Sequence, residues 1–562
     1  MPLSKRDREF RLTKISYLDF KQIEMDRVLT AFFARLAHKG YPSRLRRSIQ
    51  LTTEAFVDEF LTHPEWFTGF AEHRDILERW VETHLMDVVN RGKSSQAIAA
   101  PRPLHGYTYR FRNPKHSRDY GAAQHLYEML YHARDGAGQR ALEHLETFFF
   151  HGHDKVTGLP DSAVTLDVET QALLRLLDQV EDTADTREDR GSFPPLCVGA
   201  ADLLADDVTR LLCYERFIPR SVMVDYLKVL FSFHLALYHL RLLKLLPALV
   251  RRRGGDPTCG ACPVAAKNPK SPHGDCQYQI GLLVDVAAQP GTPMSYLAER
   301  SADLHYRRIP AFVKAYFATR KLDEFATYLA RSSKLPRPPS GDFSVGQVLA
   351  LLGPDREAER EKYFGQRVIS VEDTGGATDG DLDPELTAVR AMGLSEFDTY
   401  IEMLVAVRGR FHRQYLTECL DSLLLKNRPG ALITQPRAKN SARRFILDSR
   451  LLEVLLQIAV LRPGGVRGYH TGELRIDELL AFLRERYGLH IDRLPPGDGF
   501  GSASITDQQA LRGNLAAFRS RLREVGFYRD LSDAYVTQTV TPRYRIDISG
   551  VTPKIPTTGG VA

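Results

Sequence analysis

Signatures of nucleotide hydrolysis and of the common hydrolases are missing from this chain of 562 residues. There is no Gly-x-x-x-x-Gly-Lys-Ser/Thr loop, no Gly-x-Gly-x-x-Gly after a strand, no His-Glu-x-x-His pair and no Gly-x-Ser-x-Gly elbow. A phosphate cradle, a zinc-protease helix and a serine elbow therefore have no visible carrier, and the sequence leans away from an enzyme. Cysteine is scarce: the chain has six, and three of them crowd into one short stretch, which fits a reducing interior and metal binding better than a disulfide framework. The first ten residues are charged and lack the apolar run of a signal peptide, so the expectation is a cytoplasmic protein. No long apolar run is free of charge either. The longest, Val222 to Val250, contains Asp225, Lys228, His234, His239, Arg241 and Lys244, each costly in hydrocarbon, and is expected to be a buried helix with no membrane role.

What is present is ordinary for a folded protein, with 43% hydrophobic and 26% charged residues. The length exceeds what one core accommodates and predicts several domains. The net charge of +6 permits acidic or nucleic-acid partners without requiring them. Breaks rich in Pro, Gly or acidic residues suggest a mainly α, multidomain helical chain with four parts. These are an N-terminal helical domain over 1–155 and a central helical domain over 156–333. A third helical domain over 342–428 carries an acidic, Gly-rich linker over 372–384, and a basic module covers 431–562.

The most unusual stretch is the loop over 256–278. Cys259 and Cys262 are separated by two residues, as are His273 and Cys276, and this paired spacing lets three thiolates and an imidazole close a tetrahedron around one ion. Structural zinc is the expectation. An iron-sulfur cluster with Cys197 or Cys213 as fourth ligand is the alternative. His151, His153 and Asp154 form a second group of metal-ligating residue types, whereas His234 and His239 lie five apart on a helix and fit satisfied core histidines.

Tyr107 to Arg118 alternates aromatics with cations and is expected to be an edge strand with a solvated face. The run Glu181 to Asp189 has the character of an exposed acidic connector. In the C-terminal part, helices are expected from Phe445 to Leu461, around Ile476 to Tyr487 with Gly488 as the stop, and after a Thr506/Gln509 capping box. The last of these carries Arg512, Arg519, Arg521 and Arg523 off its apolar face. A ribbon over Tyr535 to Ile546 completes the order of a winged helix, and Lys439, Arg443, Arg444, Arg519, Arg523, Arg543 and Arg545 are its candidate nucleic-acid contacts.

Three stretches, Tyr17-Leu-Asp-Phe-Lys-Gln-Ile-Glu-Met-Asp-Arg27, Pro103-Leu-His-Gly-Tyr-Thr-Tyr-Arg-Phe-Arg112 and Gly526-Phe-Tyr-Arg-Asp-Leu-Ser-Asp-Ala-Tyr535, resemble a component of bacterial anti-phage systems of the methylation-associated defence type. The resemblance implies action inside the cell beside a DNA methyltransferase, a specificity subunit and ATPases, and it brings no catalytic motif onto positions of this chain. The expected function is that of an accessory, non-ATPase component of a DNA-targeting defence complex, binding DNA or a partner subunit through the C-terminal module. A metal-dependent nuclease with an atypical site at His151, His153 and Asp154, and a scaffold without nucleic-acid contact, are the competing readings. No motif identifies a small-molecule substrate.

The paired Cys/His spacing predicts one zinc ion per chain in the purified protein. Elemental analysis checks this: a fully folded, metal-free protein would exclude the site, and bound iron with a brown colour would replace zinc by a cluster.

Overall fold

The computed structural model describes residues 3–153, 166–187, 193–253, 276, 278–374, 384–438, 441–465, 468–497, 499–528 and 539–547. Helix accounts for 54% and strand for 9%, which places the chain in the mainly α class. The organising element is the 32-residue helix Arg220–Arg251, entered from Pro219 and buried on nearly every side from Met223 to Leu249. A helix that is apolar all round must be enclosed. It is covered by the helices Val198–Leu212, Ile309–Arg331, Glu396–Leu423 and Ser449–Ala459. By length and composition it could cross a membrane, but 94% of its most apolar window is buried inside the fold.

Ser232, Tyr238 and His239 on this central helix each have a hydrogen-bond partner, as burial demands. Ser232 Oγ donates to the Leu423 carbonyl at 2.7 Å, and Tyr238 OH to that of Ile15 at 3.1 Å. His239 stands between Ser16 Oγ at 2.9 Å and the Leu235 carbonyl at 2.7 Å. His234 and His239 are thus satisfied core histidines, as their spacing predicts.

One hydrophobic core runs from Leu3 to Ile546 and draws on residues from all four expected parts of the chain; a second, smaller core lies between Ile49 and Val180. The strands are short. Ser43–Arg47 pairs antiparallel with Val180–Ala184, Met86–Val89 with Ala97–Pro101, and Leu282–Leu283 runs parallel to Leu489–His490. Gly488 makes the last pairing possible: it closes the Ile476–Tyr487 helix at φ +75°, and a Cβ there would lie 1.9 Å from the Ile280 carbonyl oxygen.

Several expectations change. The acidic run does not begin as a connector: Val180–Ala184 is a strand, and Asp182 accepts hydrogen bonds from Ser43 and Tyr109 while standing 2.9 Å from His38 Nε2. Tyr107 and its neighbours are no edge strand. Gly106–Phe111 is a 3-10 helix that buries Tyr109 in the main core and Phe111 in the smaller one, while Arg110 lies over the Tyr107 ring. The last long helix starts from Ser504 with Asp507 as its capping partner, not from Thr506.

The C-terminal part is joined to the central helices by a buried ion cluster. Arg486, 2% exposed, donates to Asp207 through Nε at 3.0 Å and through a second nitrogen that also reaches Asp206. Asp207, fully buried, stands 2.9 Å from His234 Nε2 and accepts from Tyr487 OH at 2.9 Å; Asp206 accepts from Arg210 Nε at 2.8 Å and Tyr469 OH at 2.7 Å. Burial opposes the charge on Asp207, yet Arg486 and the His234 hydrogen bond outweigh it, and its carboxyl is held below the ordinary value of 3.8.

Removing one member of such a buried set leaves an uncompensated charge, so Arg486→Ala is expected to lower the unfolding free energy by about 3–5 kcal/mol at neutral pH. Because the folded pKa of Asp207 is depressed, its contribution is fully present above the ordinary value and is lost as pH falls through the folded one, so the gap between variant and wild type narrows in acid. Urea titrations of both proteins at neutral and acidic pH test this, and a variant within about 1 kcal/mol of wild type at neutral pH would remove the cluster from its structural role.

Candidate functional site

The helix Ile505–Glu524 presents cations without a partner among the described residues, Arg512 and Arg519. Its inner face buries Leu511, Asn514, Phe518 and Leu522, and it packs against the helix Pro293–Tyr306. Asn514 sits in the middle of that apolar stripe for a specific reason. Its Oδ1 accepts from Val286 N at 2.8 Å, and its Nδ2 donates to the carbonyls of Val284 and Ile491, each at 2.9 Å. One side chain thereby satisfies three backbone groups beside the parallel pair Leu282–Leu283/Leu489–His490 and sets the rotation of the helix on its support. Sequence reasoning missed Asn514, although a lone amide inside an apolar stripe was the available signal.

With the inner face pinned, Arg512, Arg519 and Arg523 fall on one outer stripe, seven and then four residues apart. Arg512 and Arg523 are exposed and Arg519 is half-buried. Arg523 lies over the Tyr528 ring at 5.3 Å. Neither Arg512 nor Arg519 has an ion pair or hydrogen bond among the described residues. Arg521, in contrast, is taken up by Ser449 Oγ at 2.7 Å and Glu524 at 3.3 Å.

The other candidate cations separate from this stripe. Arg443 makes a two-point contact with Asp421 at 2.8 and 2.9 Å and stacks over Tyr306. Arg444 is 4% exposed, donates to the Ala288 carbonyl at 2.9 Å and lies 3.6 Å from the buried Asp285 carboxylate. Arg543 is bound to Glu453 and to the Val525 carbonyl. These three are engaged within the fold. Arg545 is exposed at the surface, and Lys439 lies outside the described residues.

Of the expected metal ligands, Cys259, Cys262 and His273 lie outside the described residues, while Cys276 is half-buried against the main core. Cys197 and Cys213 are occupied inside the fold: Arg241 donates to the first at 3.4 Å, and the second donates to the Thr209 carbonyl at 3.3 Å. His151 is exposed, with its carbonyl oxygen 3.1 Å from Nε2 of the buried His105, and His153 packs on Tyr107 with ring centroids 4.6 Å apart. Asp154 is outside the described residues. Among the described residues no three His, Cys, Asp or Glu side chains are placed to hold a metal ion.

A family model described as methylation-associated defense system protein MAD7 matches residues 5–544, a span that includes the central helix, the ion cluster and the arginine stripe. No curated protein matches the chain.

The three bonds of Asn514 generate a direct expectation. Asn514→Ala leaves buried backbone groups unmatched and is expected to destabilise the protein by at least about 2 kcal/mol. Asn514→Asp should cost a similar amount, because a carboxylate cannot donate to Val284 and Ile491. Thermal unfolding of the two variants checks this; an aspartate variant as stable as wild type would show that donation by Nδ2 is dispensable.

Proposed function

Because the chain belongs to the methylation-associated defense system protein MAD7 family, we propose that it acts in the cytoplasm as an accessory, non-ATPase component of that defence system, contacting duplex DNA through the outer stripe of Ile505–Glu524. The observation that carries this reading is the stripe itself: Arg512, Arg519 and Arg523 stand on the outside of a helix whose inside is locked by Asn514. Phosphate contacts need guanidinium groups held in register, and on this stripe Arg512 and Arg519 have no ion pair or hydrogen bond among the described residues. Arg545 adds a fourth exposed cation. Zinc in the Cys259, Cys262, His273 and Cys276 loop remains part of the proposal as a structural element, apart from the DNA contact. The other subunits of the system, a methyltransferase, a specificity subunit and an ATPase among them, are its proposed partners.

A winged-helix organisation is also part of this reading. The order is helix Ser449–Ala459, strands Leu461–Pro463, Tyr469–Thr471 and Leu474–Arg475, helix Ile476–Tyr487, strand Leu489–His490, helix Ile505–Glu524, then Tyr528 and strand Thr539–Val540. Val540 pairs with Leu474 and bridges Tyr528, which supports a small sheet behind the last helix. The last helix rests on Pro293–Tyr306 and the first on the central helix, so the surface is best tested in the full chain.

If the four arginines contact phosphates, log affinity for duplex DNA falls against log salt with a slope near roughly −3.6, at roughly −0.9 per contact. Titration of the full chain against labelled duplex at several salt concentrations measures it, beside an Arg512→Ala, Arg519→Ala, Arg523→Ala variant that should retain a slope near roughly −0.9. Undetectable binding at low salt, or an unchanged slope in the variant, would turn the stripe into a protein-contact surface.

A further inference from the structure

Between the N-terminal segment, the far half of the Ile309–Arg331 helix and the helix Glu357–Thr374 lies a half-open cavity of about 430 Å³. Part of its lining is electrically matched. Arg6 Nε meets Glu324 at 2.9 Å, and Arg320 meets Glu9 at 2.9 Å. Arg6 Nη2 donates to Tyr363 OH at 3.2 Å. Two further guanidinium groups on the lining, Arg331 and Arg367, have no ion pair or hydrogen bond among the described residues. They come from two different helices and leave the cavity with two positive charges in excess.

The same wall carries aromatic surface. Tyr328 is 45% exposed, and its centroid lies 4.9 Å from that of Tyr363 at an angle of 39°. Arg367 in turn sits 5.5 Å from the Tyr363 centroid. An exposed ring beside two unmatched guanidinium groups offers a stacking face for a planar group and a two-sided grip for an anion. The volume suits one small ligand, and a duplex could not enter a space of this size.

We propose that this cavity binds a nucleoside phosphate, with Arg331 and Arg367 on the phosphate oxygens and the base against Tyr328. The same chemistry is offered by a free nucleotide and by the 5′-phosphorylated end of a single strand. The site is separate from the arginine stripe of the C-terminal helix, and neither depends on the other.

Equilibrium dialysis of the full chain against dAMP, adenosine and inorganic phosphate tests the assignment. Binding of dAMP is expected, with adenosine and inorganic phosphate each weaker by about tenfold or more, since each lacks one half of the recognition. Arg331→Ala with Arg367→Ala should weaken dAMP by at least about tenfold, and Tyr328→Ala by about fivefold while Tyr328→Phe stays near wild type. Arg331 is exposed, so Arg331→Glu alone serves if the double variant does not fold. Displacement of dAMP by a 5′-phosphorylated oligonucleotide, but not by its unphosphorylated form, assigns the strand end; no displacement assigns the free nucleotide. The proposal is overturned if dAMP does not bind at millimolar concentration, if inorganic phosphate binds as tightly as dAMP, or if the arginine variants bind like wild type.

Discussion

The contact of Arg486 with Asp206 and Asp207 is the constraint on which the arrangement of this protein turns. A guanidinium taken out of water costs several kcal/mol unless its donors and charge are met. Here they are met by carboxylates on the Val198–Leu212 helix, themselves held by His234 of the central helix and by Arg210, Tyr469 and Tyr487. The cluster ties four stretches of chain at one buried point. Apolar packing alone tolerates sliding by a turn of helix, whereas this geometry accepts one alignment of the C-terminal part against the centre.

From that alignment follows the position of everything downstream. Gly488 closes the helix that carries Arg486, Leu489–His490 pairs with Leu282–Leu283, and Asn514 fastens the last long helix beside that pairing. The outward stripe of arginines is thus the far end of a chain of buried polar contacts that starts at Asp207. Asn514 thus fixes the helix that carries the stripe on its support.

Three other candidate cations serve the fold. Arg443, Arg444 and Arg543 each have a carboxylate or carbonyl partner supplied by a distant segment. The cavity at Tyr328 shows both situations side by side, with Arg6 and Arg320 matched and Arg331 and Arg367 left open.

Much of the local structure was legible in the sequence. The apolar run around Val222–Val250 demanded an enclosed helix, Gly488 announced a helix stop, and the three- and four-residue spacing from Leu511 to Leu522 placed Arg519 and Arg523 on an outer face. Local signals were also degenerate: Ser504 with Asp507 and Thr506 with Gln509 are both capping pairs, and only the packed helix decides between them. The pairing of charges was out of reach. Asp182 looked like part of a solvated acidic run until its strand met Ser43–Arg47, and Arg444 looked as available as Arg519 until Asp285 and Ala288 closed around it. Periodicity reports which side of an element is apolar, because that depends on neighbours three and four residues away. Whether a charge is matched, and whether residues as far apart as Arg6, Arg331 and Arg367 line one cavity, depends on contacts between remote segments, which tertiary structure alone decides.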